Sequence, residues 1–165
     1  MVYDREGKYG HLFMQETILP ASYANPPAGQ KGGYEQFGKR IHWVDSNNMP
    51  GAFQMNTSWW YKPNKEIMEK AGIANKMRHS HPYPEILGFY GSDPENPFDL
   101  GGEVELYIDD EAHIITKSTM VFIPPNILHC PITVLKVDRP IFHFSVVMNE
   151  IYTTQNADGT VREVK

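Results

Sequence analysis

The stretch HSHPYPE, residues 79–85, places two histidines one residue apart and a glutamate four positions beyond the second. Imidazole nitrogens and a carboxylate oxygen form a borderline-hard donor set that suits divalent Fe, Mn, Zn, Ni or Co. On an extended chain, positions of equal parity share a face, so His79, His81 and Glu85 are expected to project to one side. Pro82 and Pro84 flank Tyr83, remove two backbone donors and stiffen the segment, which lowers the entropy cost of gathering ligands. Such a spacing arises by chance in roughly one or two per cent of chains of this composition, so it needs context. The context is FIPPNILHCP, 122–131, which supplies His129 just past a strand-like run and a proline turn.

Bringing His129 back to His79, His81 and Glu85 requires several strands between them to fold over one another. The sequence offers them. RIHWV (40–44) and AFQMNTSWWY (52–61) are strand-like runs separated by the turn-rich DSNNMPG. EILGFY (85–90), EVELYI (103–108), AHIIT (112–116), MVFIP (120–124), ITVLKV (132–137) and IFHFSVV (141–147) follow, rich in β-branched and aromatic residues. DDE at 109–111, KST at 117–119 and VDRP at 137–140 read as turns between them. NKEIMEKA (64–71) is the one convincing helix, with Asn64 placed to cap it, Lys65 and Glu69 at i,i+4, and Gly72 to end it. Many short strands at close spacing predict an antiparallel sandwich or barrel. GSDPENPFDLGG, 91–102, reads as a loop, because its prolines, glycines and acids do not suit a sheet interior.

Composition narrows the function classes. The 165 residues suit one domain with a real core. A formal charge of −5 and a pI near 5.8 argue against a nucleic-acid partner. No apolar run approaches the roughly 20 residues that span a bilayer, so no membrane partner is expected. The first residues lack the apolar stretch of an export signal, and the single cysteine, Cys130, excludes an intrachain disulfide framework. A cytoplasmic protein is the expectation. Residues 1–38 are expected to be an N-terminal arm packed on the barrel or on a partner subunit, with the barrel over 39–152 and a C-terminal tail over 153–165.

Two segments together resemble a known family. Residues 79–91, HSHPYPEILGFYG, resemble the first cupin motif: two histidines spaced by one, then a glutamate, then a glycine. Residues 118–129, STMVFIPPNILH, are similar to the second, in which a proline precedes the remaining histidine by five. The resemblance covers residues 55–147 and implies an all-β fold, a cupin-type jelly-roll β-barrel, usually a homodimer. It implies His79, His81, Glu85 and His129 as ligands of one divalent transition metal per chain. The chain departs from the pattern at Ser118 and Asn126, where the second motif has glycines, and at Thr133, where it has asparagine. The leading glycine of the first motif, expected at Ile73, is offset to Gly72.

Three imidazoles and one carboxylate leave a divalent ion near +1 with open positions for a small-molecule substrate or ligand. Dioxygenase, decarboxylase and isomerase chemistry on a small oxygen-rich substrate (carboxylate, phenol or sugar-like) all suit such a centre. A non-enzymatic metal-containing binding protein is the alternative. His143, flanked by Phe142 and Phe144 on the last long strand, is the candidate acid/base group or partner to a ligand. Alternation there puts either His143 and Ser145 or the two phenylalanines inside. Phe53, Trp59 and Tyr61 share a parity and read as core, and Cys130 reads as a packing residue.

Overall fold

In the strand Ile141–Val147 every second residue is buried: Ile141, His143, Ser145 and Val147 face inward, and Phe142 and Phe144 face out. The computed structural model describes residues 7–24, 33–72, 77–156 and 159–163. The expectation at Ile73 lies outside them. In chain order the strands are β1 (Gly38–Val44), β2 (Met55–Trp60), β3 (His79–Ser80), β4 (Glu85–Tyr90), β5 (Asp99–Ile108), β6 (Glu111–Lys117), β7 (Thr119–Ile123), β8 (His129–Val137), β9 (Ile141–Val147), β10 (Thr153–Asn156) and β11 (Val161–Glu163). A four-residue helix, α1 (Ala21–Ala24), lies in the N-terminal arm, and α2 (Lys65–Ala71) connects β2 to β3.

The strands form two antiparallel sheets, ordered β1-β2-β9-β4-β7 and β11-β10-β3-β8-β5-β6. Without the outermost β1, β10 and β11, eight strands remain in the orders β2-β9-β4-β7 and β3-β8-β5-β6. Consecutive strands therefore alternate between sheets at β2–β3–β4–β5 and again at β6–β7–β8–β9, the double Greek key of a jelly roll. Leu87, Phe89, Leu100, Val104, Leu106, Ile123, Val134 and Ile141 fill the space between the sheets.

Several elements differ from expectation for identifiable reasons. The 91–102 segment is not a loop throughout, since β5 begins at Asp99. Its glycines permit this: a Cβ on Gly102 would lie 2.3 Å from the Lys136 carbonyl oxygen, and Gly101 has φ +68. The register shifts between Asp99 and Val104, so the strand enters the sheet through an irregularity that only small residues fit. Phe53, Trp59 and Tyr61 are exposed (51, 36 and 42%), and the other parity faces the core through Gln54, Ser58 and Trp60. Bulky aromatics on both faces of the run made its parity ambiguous.

The helix ends as expected on Gly72 in the left-handed conformation, but Asn64 makes no side-chain cap. Its Oδ1 instead accepts from the Val134 amide at 2.8 Å, tying the helix to β8. Lys70 and Glu66, rather than Lys65 and Glu69, form the i,i+4 pair at 3.8 Å. Among the described residues of the arm, Thr17 Oγ1 donates to the Ile41 carbonyl and the Tyr34 hydroxyl accepts from Trp60 Nε1, with Arg40 3.7 Å from the Tyr34 ring centroid. After residue 152, β10 pairs with both β3 and β11. No helix among the described residues is long and apolar enough to cross a membrane.

Candidate metal centre

His79 lies on β3 and Glu85 begins β4, so HSHPYPE is not one extended strand. Pro82-Tyr83-Pro84 carries the chain from one sheet to the other, and the ligand candidates reach the same point from both. β3 pairs with β8 directly at His79↔His129, which fixes those two imidazoles side by side. Asn126, at φ +64, makes the left-handed turn that delivers His129, and its amide donates to the His81 carbonyl at 2.8 Å. Ser118 closes the far end, where its Oγ accepts from the Gly91 amide at 3.1 Å.

The ligand atoms of His79, His81, Glu85 and His129 all lie within 4.8 Å of one another, and His81, Glu85 and His129 are buried. Their outer nitrogens explain how the cluster is aimed. Nδ1 of His79, His81 and His129 lies 2.7, 2.6 and 2.8 Å from the carbonyls of Met77, Tyr83 and Ile127. A carbonyl only accepts, so each Nδ1 carries a proton, and in the neutral ring each Nε2 presents a lone pair. Tyr83 also stacks on His81 at 4.8 Å and 11°, locking that ring.

The inward contacts then lack protons. Nε2 of His81 and Nε2 of His129 each lie 3.1 Å from the same oxygen, Oε2 of Glu85. The His129 nitrogen makes no oriented hydrogen bond despite that distance. Two imidazole lone pairs facing a buried carboxylate oxygen repel unless a proton or a cation lies between them. Cations held at about 2.0–2.2 Å by each donor leave neighbouring donors about 3 Å apart, so the donor set fits a divalent metal. Burial acts to raise the Glu85 carboxyl; hydrogen bonds from the His129 and His81 rings, available only when Nε2 carries a proton, outweigh it and bring it down to about 2. A cation held between the same atoms would act in the same direction. Burial and the neighbouring His129 bring His79 down to about 4. An ionised Glu85 beside a neutral His79 suits metal binding.

His143 is not part of the cluster of four. Glu85 pairs with Val147, and His143 lies four residues from that partner along β9, opposite Phe89. Its Nδ1 lies 2.9 Å from the Gly88 carbonyl, and its ring stacks on Trp60 at 4.3 Å. Burial brings it down to about 4, so it is a neutral wall of the interior. Cys130 is buried and its thiol is pushed up by that burial, consistent with packing.

Sequence reasoning missed two residues. Tyr152 lies in the turn after β9, and its hydroxyl is 2.9 Å from His79 Nε2. Nothing in the local pattern marks a tyrosine 67 positions after Glu85 (152 − 85) as part of the site. Gln54 is fully buried on the face shared with Val147 and Glu85, and neither of its side-chain amide atoms has a hydrogen-bond partner among the described residues. A correct parity for β2 would have singled it out.

No protein-family model matches the sequence, and no curated protein matches it either. Among solved structures, the chain is similar to oxalate oxidase in complex with glycolate, at 11% identity and a TM-score of 0.46, over 96% of this chain and 65% of that one. It is similar to oxalate decarboxylase at 12% identity and a TM-score of 0.44, over 74% of this chain and 28% of that one. An uncharacterized conserved protein with a double-stranded beta-helix domain from Klebsiella pneumoniae is 12% identical at a TM-score of 0.43, over 86% and 90% of the two chains. The chain thus spans 65% of the length of the oxalate oxidase it matches. The chain's own strand order defines the class of fold, an antiparallel double-sheet jelly roll, with a His–His–Glu–His set between its two sheets.

Proposed function

We propose that His79, His81, Glu85 and His129 hold one divalent transition metal, and that the protein is a metal-dependent enzyme acting on a small oxygen-rich organic molecule. One observation carries the reading: three imidazoles, each with its proton fixed outward on a backbone carbonyl, turn their lone pairs toward one buried carboxylate. When bound, the ion supplies Lewis acidity or, if it is iron, a place for O2. The chain's own residues orient the ligands, and the apolar core excludes water. His143 has its place as a neutral wall of the interior. Dioxygenase, decarboxylase and isomerase reactions all fit this arrangement; a non-catalytic binding protein is the competing reading. The protein works in the cytoplasm in this proposal, in keeping with its single cysteine, a buried free thiol.

The working unit is a homodimer. Ile86, Met120 and Phe122 are exposed on the outer face of the β4–β7 pair, and Trp59 stacks on Phe142 at 5.2 Å on the same sheet. A contiguous apolar sheet face of this kind suits a second copy of the chain.

The test is metal identification together with O2 consumption over a panel of small carboxylates, phenols and sugars. Turnover of any member by the metal-loaded protein, abolished by chelation, supports the enzyme. Metal-dependent binding without turnover across the panel supports the binding protein.

A further inference from the structure

Tyr152 is held with more precision than a turn residue needs. Asn149 Nδ2 donates to the Ile151 carbonyl at 2.6 Å, just before it. Just after it, the Tyr83 hydroxyl lies 2.6 Å from both the Thr153 amide and the Thr153 carbonyl, accepting from one and donating to the other. Trp43 meets the Tyr152 ring edge-on at 6.2 Å and 89°. The ring stands over the cluster, 6.3 Å from His79 and 6.2 Å from His81. Its hydroxyl points at His79 Nε2, at 2.9 Å.

That nitrogen has no proton to give, because the proton is on Nδ1 facing the Met77 carbonyl. The phenol is therefore the donor. An ion that takes the His79 lone pair removes the phenol's acceptor, and a half-buried hydroxyl left without one is costly. The group that satisfies it must offer an oxygen at the same place. We propose that Tyr152 is a substrate-binding residue whose hydroxyl donates a hydrogen bond to a substrate oxygen lodged beside His79, and that Tyr83 is the residue that positions it. The inference rests on the metal reading of the cluster. It restricts the substrate to one that presents an acceptor oxygen, such as a carboxylate, carbonyl or deprotonated hydroxyl, next to the oxygen that reaches the ion. It also gives Tyr83 a double duty, since the same residue stacks on His81 and accepts the His81 Nδ1 proton through its backbone.

The probe is glycolate, a small hydroxy-carboxylate, titrated into cobalt-loaded protein and followed by the visible absorption of the ion, with cobalt content measured on the same samples. Tyr152→Phe is expected to keep its cobalt and to bind glycolate about 10- to 100-fold more weakly, as for loss of one hydrogen bond to a charged oxygen. Tyr83→Phe is expected to weaken glycolate in the same direction, and the double variant to be no weaker than Tyr152→Phe alone. An unchanged glycolate Kd in Tyr152→Phe overturns the proposal. So does cobalt-loaded wild-type protein without any glycolate response, because the phenol would then face no exchangeable position. Loss of cobalt from Tyr152→Phe would make the phenol a ligand and overturn it too. Additive losses in the double variant remove Tyr83 from the positioning role. Failure of the wild-type protein to take up cobalt at all refutes the metal reading instead, and this inference with it.

Discussion

Gly91 ends the first motif, and the structure gives a steric reason for a glycine there. A Cβ at this position would lie 2.0 Å from the Asp99 carbonyl oxygen and 3.0 Å from the backbone carbons of Asp99 and Leu100. Gly91 is not among the glycines with positive φ, so alanine suffers no backbone strain, and the contact alone sets the cost. Relief needs the start of β5 to retreat by at least about 1 Å, and that segment is pinned. Asp99 pairs with Arg139, and its Oδ1 accepts from the Gly101 amide at 3.2 Å. Those two contacts, the Gly101 amide first, also hold the Asp99 carboxyl below its usual range. Overpacking of this kind costs about 3 kcal/mol at the upper end. Against it stands up to ~1 kcal/mol from the lower entropy of the unfolded alanine chain. A net loss of ~2 kcal/mol lowers Tm by roughly 4–8 °C in a chain of this size. The site should be untouched, since Gly91 lies six residues along the chain from Glu85, about 20 Å at the strand rise. Thermal melts of wild type and Gly91→Ala, with metal content measured on both, test this. A Tm within about 1 °C of wild type refutes the close-approach argument. Loss of metal with an unchanged Tm refutes the separation of the glycine from the site.

Other outcomes follow from the same geometry. His129→Ala is expected to cost metal affinity at least the roughly 10- to 100-fold that loss of a ligand's outer partner costs, measured by competition with a chelating dye. A saturating divalent metal should stabilise the fold by about 2.7 kcal/mol at 100 times its Kd, read as a rise in Tm that chelator reverses. His143, at about 4 in the folded state against an ordinary 6.5, binds its proton more readily when unfolded. Stability is therefore full above pH 6.5 and falls as the pH drops toward 4, by an amount on the order of 3 kcal/mol from this residue. In His143→Phe, urea denaturation should show a shallower fall over that window, with a remainder from His79. In the proposed homodimer, Ile86→Arg on the exposed sheet face should give a monomer in sedimentation where the wild-type protein gives a dimer, without changing metal content.

The four ligand candidates were legible in the sequence because their spacing is local, HSHPYPE on one side and PPNILH on the other. The route that gathers them was not. An extended HSHPYPE puts His79, His81 and Glu85 on one face, yet the prolines send the chain across from β3 to β4, and the residues converge from two sheets. The fold class was legible from the short strands and their turns, and IFHFSVV is a strand to the residue. Where alternation failed, both faces carried large apolar groups: in β2, Trp59 serves an outer aromatic cluster and Trp60 the core, so hydrophobicity alone could not choose. The start of β5 was hidden for the opposite reason, since glycines that look like loop residues are required there by backbone contact. Tyr152 depends on pairing between β10 and β3, a long-range contact that no local pattern encodes.

The central claim is that the three outward-anchored imidazoles and Glu85 form a metal site. Elemental analysis of the purified protein, before and after incubation with Fe, Mn, Co, Ni and Zn followed by removal of free ion, tests it most directly. The account predicts about one divalent transition metal per chain in the wild-type protein and a large loss in Glu85→Ala. A wild-type protein that carries no metal and takes none up would contradict it.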